Sequence, residues 1–229
     1  PGSGTEEDPW RIYTADDLQG ASNRGYYKVM NDIDLSQWII DNNPEHGWIP
    51  IGRNSGDATY IDGDSHTISG LWISTTDNFN GLFSNFSAGQ IKNLNVEVAS
   101  GKSVKGGDYT GVLIGRNANG SIVNCSIKGD VEGTIHVGGV SGYAVATTIN
   151  NVQYNGQVNT CSENAFVGGL VGQSEGCSIS VCRTNSIVSS ANSNNNVGGL
   201  VGCAIGGLVE KTVANTNVAA IGTNGHVGG

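Results

Sequence analysis

The chain has 229 residues, a net charge of −9, 37% apolar residues, 14% charged residues and 36 Gly. Gly is about twice as frequent as in an average protein, yet its placement and the 4 Pro fit neither collagen nor a disordered Gly/Pro tract. No run approaches the roughly 18 apolar residues of a membrane span, and an acidic, Lys/Arg-poor chain lacks the phosphate contacts of a nucleic-acid binder and is disfavoured at anionic membranes.

The charge is unevenly placed. Residues 1–78 hold 13 Asp/Glu against 4 Lys/Arg, which accounts for the whole −9, and residues 79–229 hold 7 of each. All four Trp (Trp10, Trp38, Trp48, Trp72) lie in the first part. Two zones follow, an acidic, Trp-rich segment over 1–78 and a second segment over 79–229. The one Met is Met30, and the chain reads as an excised or processed piece of a longer protein.

In the first zone, Thr14 followed by Asp17 and Leu18 predicts a short helix over 15–22, capped by Thr14 and ended by Asn23–Gly25. Residues 26–35 alternate and predict a strand; 47–52 and 67–73 predict two more, with a turn at Asp62-Gly63-Asp64. Trp38 and the adjacent Ile39-Ile40 read as part of a long loop. A solenoid exposes unpaired edges and an apolar cross-section at its ends, so a mixed helix/strand segment of this kind suits an N-terminal cap.

The second zone repeats. VGGVSG at 137–142, VGGLVG at 167–172, VGGLVG at 197–202 and VGG at 227–229 are spaced by thirty residues, with weaker copies TGVLIG at 110–115 and FNGLFS at 79–84. Ile91, Ile122, Ile149, Ile179 and Val209 form a second column in phase. Leu94, Cys125, Val152, Cys182 and Thr212 follow three residues on, then Val96, Ile127, Tyr154, Thr184 and Ala214. Polar residues between the later columns give the period-2 signature of half-buried strands, and the three-residue gap predicts a bulge or corner. A last short segment centres on Val131, Val158, Val188 and Val218. Gly density and β-branching exclude helical repeats, and a propeller blade needs about forty residues and four antiparallel strands. The expected fold is all-β, a parallel β-solenoid of about 30-residue, three-strand coils stacked at about 4.8 Å. Leu82, Leu113, Val140, Leu170 and Leu200 should line its interior. That orientation turns Val167 and Val171 outward and predicts an exposed apolar stripe.

The G-L-V-G core followed by an I-x-N-C-type strand resembles the GLUG-motif repeat of bacterial surface proteins, found also in non-catalytic regions of IgA-specific metallopeptidases. The resemblance covers about 79–229. The opening stretches 4–18, 26–36, 47–52 and 61–71 resemble what precedes such repeats. The resemblance implies a secreted or surface-anchored β-helical module.

Signals for chemistry are sparse. None of His46, His66, His136 and His226 belongs to HExxH, and no His/Cys set has zinc spacing. There is no P-loop, dinucleotide fingerprint or nucleophile elbow, so no cofactor is expected. Asp62 and Asp64 with Asp57, or Asp32 with Asp34, read either as calcium ligands or as turn-forming residues, and no metal site is assigned. Scattered Lys92, Glu97, Lys128, Arg183, Glu210 and Lys211 form no acid column for glycoside cleavage. Trp38 and Trp48 beside Glu45 and His46 are candidates for a sugar-stacking platform, against a reading in which Trp10, Trp48 and Trp72 fill the cap core. Five Cys without a spacing motif do not describe a disulfide framework. Cys125 and Cys182 should be reduced, buried, and two coils apart in one column.

These readings predict a non-catalytic, elongated cell-surface or secreted module, adhesin-like or a spacer. The alternatives are a carbohydrate-binding module working through the Trp-rich cap and a glycan-cleaving β-helix. Expected partners are a host or bacterial surface glycan or protein and the rest of a longer chain, with no nucleic acid and no membrane insertion. Because VGG at 227–229 opens a coil, the cross-section at Leu200, Thr212 and Val218 should be open, and the chain should continue or associate there.

Overall fold

The computed structural model describes residues 2–21, 24–52, 58–220 and 226–228. Every ladder between its named strands is parallel, arranged as one sixteen-stranded and two five-stranded sheets around a common apolar interior. The coil is clearest after Val140. Strand Ser141–Val145 leads to the long strand Thr148–Thr160 and then to Phe166–Gly168. The next coil repeats this as Val171–Glu175, then Ser178–Ser180 with Arg183–Ser190, then Asn196–Gly198, each hydrogen-bonded to its counterpart.

The sequence columns are the register. Ile91, Ile122, Ile149, Ile179 and Val209 are successive partners. So are Val96, Ile127, Tyr154, Thr184 and Ala214, and Val131, Val158, Val188 and Val218. Leu82, Leu113, Val140 and Leu170 are fully buried, and Leu200 packs against the same core. Each wholly buried Ile, Leu or Val stabilises the stack by about 1.5–3 kcal/mol, and only neighbouring coils supply that burial.

The three-residue gap in the pattern is a corner. Asn93, Asn124, Asn151, Val181 and Lys211 occupy it with φ of 53, 54, 52, 57 and 53°. Asn tolerates this left-handed backbone, and its amide serves a second purpose here. Asn151 Nδ2 donates to Asn124 Oδ1 at 2.9 Å, Asn124 to Asn93 at 3.2 Å, and Asn93 to Asp62 Oδ1 at 3.0 Å, a ladder running up the solenoid edge.

The predicted apolar stripe does not form on the inner coils, where Val137, Val167, Val171 and Ser141 are all wholly buried; only at the last coil are Val201 and Val227 uncovered. The reason lies in the glycines. A Cβ on Gly168 would sit 2.0 Å from the Val171 carbonyl oxygen, and one on Gly172 would sit 2.6 Å from the Val137 amide. The Phe166–Gly168 and Val171–Glu175 sheets therefore fold flat on each other, backbone to backbone. That close approach encloses the flanking valines instead of turning them to solvent.

Toward the N-terminus the parallel pairing continues. Tyr27, Ile61 and Ile91 are register partners, and Trp10–Ile12 pairs with Gly25–Val29. The compositional step near 70–78 does not interrupt the large sheet, which runs from Trp10 to Ala220. Helix α1 covers Ala15–Gln19 and has the expected capping box between Thr14 and Asp17. It ends at Gly20, and Ser22 and Asn23 lie outside the described residues. The 26–35 strand is two pieces, Gly25–Val29 and Ile33–Asp34, and 47–52 makes only isolated bridges at Gly47 and Ile51. The loop expected around Trp38 is helix α2, Ser36–Asn42. Asp34 Oδ1 accepts from the Ser36 N–H at its start, and Ile39 buries its inner face. At the opposite end, Ile205, Leu208, Val213 and Val227 are about half exposed, and Leu200, Thr212 and Val218 are partly exposed. Gly229 lies outside the described residues.

Candidate functional site

Of the candidate platform residues Trp38, Trp48, Glu45 and His46, Trp48 belongs to the cap core. Trp48 is 1% exposed, and its Nε1 donates to the Leu82 carbonyl at 3.1 Å, so it is core. Trp38 packs on it with ring centroids 4.8 Å apart and donates to Asp16 Oδ1 at 2.7 Å. Trp10 and Trp72 are partly buried against the same cluster. Glu45 and His46 are exposed, and His46 Nδ1 lies 3.1 Å from the Ser74 carbonyl. A sugar needs an open ring face, which the buried Trp48 does not offer, while Trp38 is partly exposed and tilted 57° against it.

The proposed acid clusters are engaged elsewhere. Asp62 pairs with Lys92 at 3.3 Å, Asp64 with Lys28 at 3.0 Å, and Asp32 with His66 at 3.3 Å, while Asp34 starts α2. Asp57 lies outside the described residues. Among the described residues, no three His, Cys, Asp or Glu converge to hold a metal. Cys125 and Cys182 are buried and flank Val152 in one column, and burial pushes the Cys125 thiol up to about 11.

The side chains that do converge belong to the repeats. A cleft of about 570 Å³ runs across the outer face of the large sheet, over strands Thr67–Leu71, Asn95–Val98, Ser121–Lys128, Thr148–Thr160, Arg183–Ser190 and Val213–Ala220. Two outward rows build it. One runs Asn95, Ser126, Gln153, Arg183; the other runs Glu97, Lys128, Asn155, Asn185, Asn215. Asn215 Nδ2 donates to Asn185 Oδ1 at 3.0 Å, and Lys128 Nζ lies 3.8 Å from Glu97 Oε1. A second concavity of about 450 Å³ shares Asn155, Asn185 and Asn215 and continues past Gly156. The sequence carried this signal as polar residues between apolar columns, thirty apart. Amides carry no acid–base chemistry, so the pattern lacks the paired acids that mark a glycoside-cleaving site.

A second cluster lies where the two smaller sheets meet. Phe79, Tyr109, His136 and Phe166 stack coil upon coil, with centroids 4.8, 4.6 and 5.3 Å apart. His136 Nδ1 meets Asp108 Oδ1 at 2.7 Å and its Nε2 meets Gln173 Oε1 at 2.9 Å, while Gln173 Nε2 donates to Glu175 at 2.8 Å. Desolvation alone would raise Asp108. Hydrogen bonds and charge from His136, with the Tyr109 and His136 N–H groups, outweigh it and hold the carboxyl below its ordinary value. Both ring nitrogens of His136 are occupied and its faces are covered by neighbouring rings, an arrangement that fixes a side chain in place. Tyr109, His136 and Phe166 each stand just before a copy of the hexapeptide, and Phe79 opens one.

Stacked parallel coils with buried periodic columns and a polar outer cleft define a β-solenoid repeat module. The GLUG motif model matches residues 106–132, so this chain carries the motif. The matched copy holds TGVLIG and the Cys125 strand. The chain is 35% identical to halomucin of Haloquadratum walsbyi over 174 residues, which is 69% of this chain and 2% of that protein. It is 34% identical over 143 residues to an Evansella cellulosilytica protein provisionally named a Gly-rich membrane protein, covering 56% of this chain and 15% of that one. The chain thus spans a small fraction of the length of these relatives. A crystal structure of a Bacteroides ovatus protein provisionally assigned as an immunoglobulin A1 protease superposes with a TM-score of 0.74 over 99% of this chain and 76% of that one. At 21% identity this likeness concerns the fold.

Proposed function

We propose that the chain is a non-catalytic, elongated module of a larger cell-surface or secreted protein, acting as an adhesin-like binding segment. The observation that carries this is the unbroken coil register from Tyr27 to Val209, which builds length while presenting the same outer columns coil after coil. The relatives support it: their matched segments are short parts of long proteins, one of them named a membrane protein. No helix among the described residues is long and apolar enough to cross a membrane, so attachment would come from elsewhere in such a protein. The nearest thing to an acid–base pair, Asp108 with His136, has its second ring nitrogen held by Gln173, which suits support better than proton transfer.

The test is antibody labelling of intact cells producing the parent protein, before and after external protease. Surface signal that protease removes is expected. Signal seen only after permeabilisation would overturn the reading.

A further inference from the structure

We infer that the cleft on the large sheet binds a linear, uronate-type glycan lying along the solenoid axis. The inference deepens the adhesin-like reading and rests on it only for where the ligand is met. Six strands frame the cleft, and five strand spacings give it a length of about 24 Å, enough for a short oligosaccharide. Its lining is dominated by amides: Asn95, Gln153, Asn155, Asn185 and Asn215. Each amide offers both donor and acceptor, and together they repeat at the spacing of the coils. A polymer of hydroxyl-bearing units meets that requirement, since each hydroxyl also donates and accepts.

The charge selects an anionic member of the class. Glu97 is the one acid among the lining residues, and it is already beside Lys128. Arg183 stands in the opposite row, exposed, with Gln153 as its coil neighbour. A guanidinium set among amides is suited to a carboxylate held by two parallel hydrogen bonds. Residues 79–229 balance their acids and bases, and within them the cleft carries two cations against one acid. An acidic peptide fits less well. Peptides recognise sheets through free edges, whereas the cleft floor consists of side chains on strands whose backbones are already paired.

The experiment titrates the whole chain with a linear oligouronate, a neutral oligosaccharide of equal length, and an oligoglutamate peptide. It compares the unaltered protein with Arg183→Gln and Asn185→Ala. Binding of the oligouronate that weakens about tenfold in Arg183→Gln, and again in Asn185→Ala, is expected. Affinity should also fall with salt. Both side chains are exposed, and an unchanged melting temperature confirms that each variant is folded. Equal binding of the neutral sugar, equal binding of the peptide, or no uronate binding at millimolar concentration would each overturn the inference. None of these outcomes bears on surface exposure, and failed surface labelling would leave the cleft result standing.

Discussion

Val181 is the residue where the corner ladder breaks. It holds φ of 57°, a region costly for a β-branched side chain, and is 49% exposed. Its equivalents one, two and three coils earlier are Asn151, Asn124 and Asn93, which adopt the same backbone and pass an amide hydrogen bond along the edge. Val181→Asn should relieve the strain and extend the ladder to Asn151, raising stability by about 1 kcal/mol. A denaturant midpoint that falls would count against this account. Asn117 poses the inverse problem. It is fully buried, and neither atom of its amide finds a partner among the described residues. Leu has nearly the same shape, so Asn117→Leu should stabilise by about 1 kcal/mol, read from the same midpoint. Asp108 gives a pH signature. Its folded value is lowered, so its contribution is present above the unfolded value of about 4 and is lost as pH falls through the folded value. Asp108→Asn should therefore flatten the acid limb of a melting-temperature profile and lower the plateau near neutral pH. An acid limb unchanged in steepness would show that the Asp108–His136 contact is not coupled to folding.

At their glycines the paired small sheets meet backbone to backbone, with no room for a side chain. Gly168→Ala would push a methyl to within 2.0 Å of the Val171 carbonyl, a backbone atom that cannot rotate away. The substitution should cost about 3 kcal/mol or more, because the sheets must separate and uncover Val137 and Val167. Gly228→Ala, where a Cβ meets nothing within 4 Å, is the matched control and should leave the thermal melt unchanged. This is also where sequence reasoning stopped. Columns of Ile, Leu and Val at thirty-residue intervals fixed which residues share a register, since one step of slippage would expose all of them. Which way Val167 and Val171 face was not recoverable, because alternation assumes a strand with one wet side, and these strands have a second sheet against their glycine face. Helix α2 was hidden for another reason: seven residues carry little periodicity, and its N-terminal support comes from Asp34, two residues before Ser36. In the cap, the reading in which Trp10, Trp48 and Trp72 fill the core holds fully for Trp48 and partly for Trp10 and Trp72, since burial of a Trp is decided by what packs over it.

At the scale of the molecule, coils contact their neighbours and little else, so stability should be additive coil by coil. Deleting residues 167–196 removes one repeat and joins Phe166 to Val197, a residue in the column of Val167. The shortened chain should fold, keep its β circular dichroism spectrum, and melt cooperatively at a somewhat lower temperature. Deleting one residue more or fewer puts Ile179-type positions out of phase with their partners and should leave an aggregating product. Both deletions folding equally well would refute the register as the source of order.

The in-phase repeat also bears on how such a protein changes over generations. VGGLVG at 167–172 and at 197–202 is the same hexapeptide. Where the encoding DNA is comparably alike, mispaired recombination between such copies inserts or removes whole coils. Each exchange would lengthen or shorten the module by about 4.8 Å while every surviving side chain keeps a neighbour of its own kind. Reach therefore becomes a heritable trait that varies in discrete steps, and related strains should differ by multiples of thirty residues within this segment.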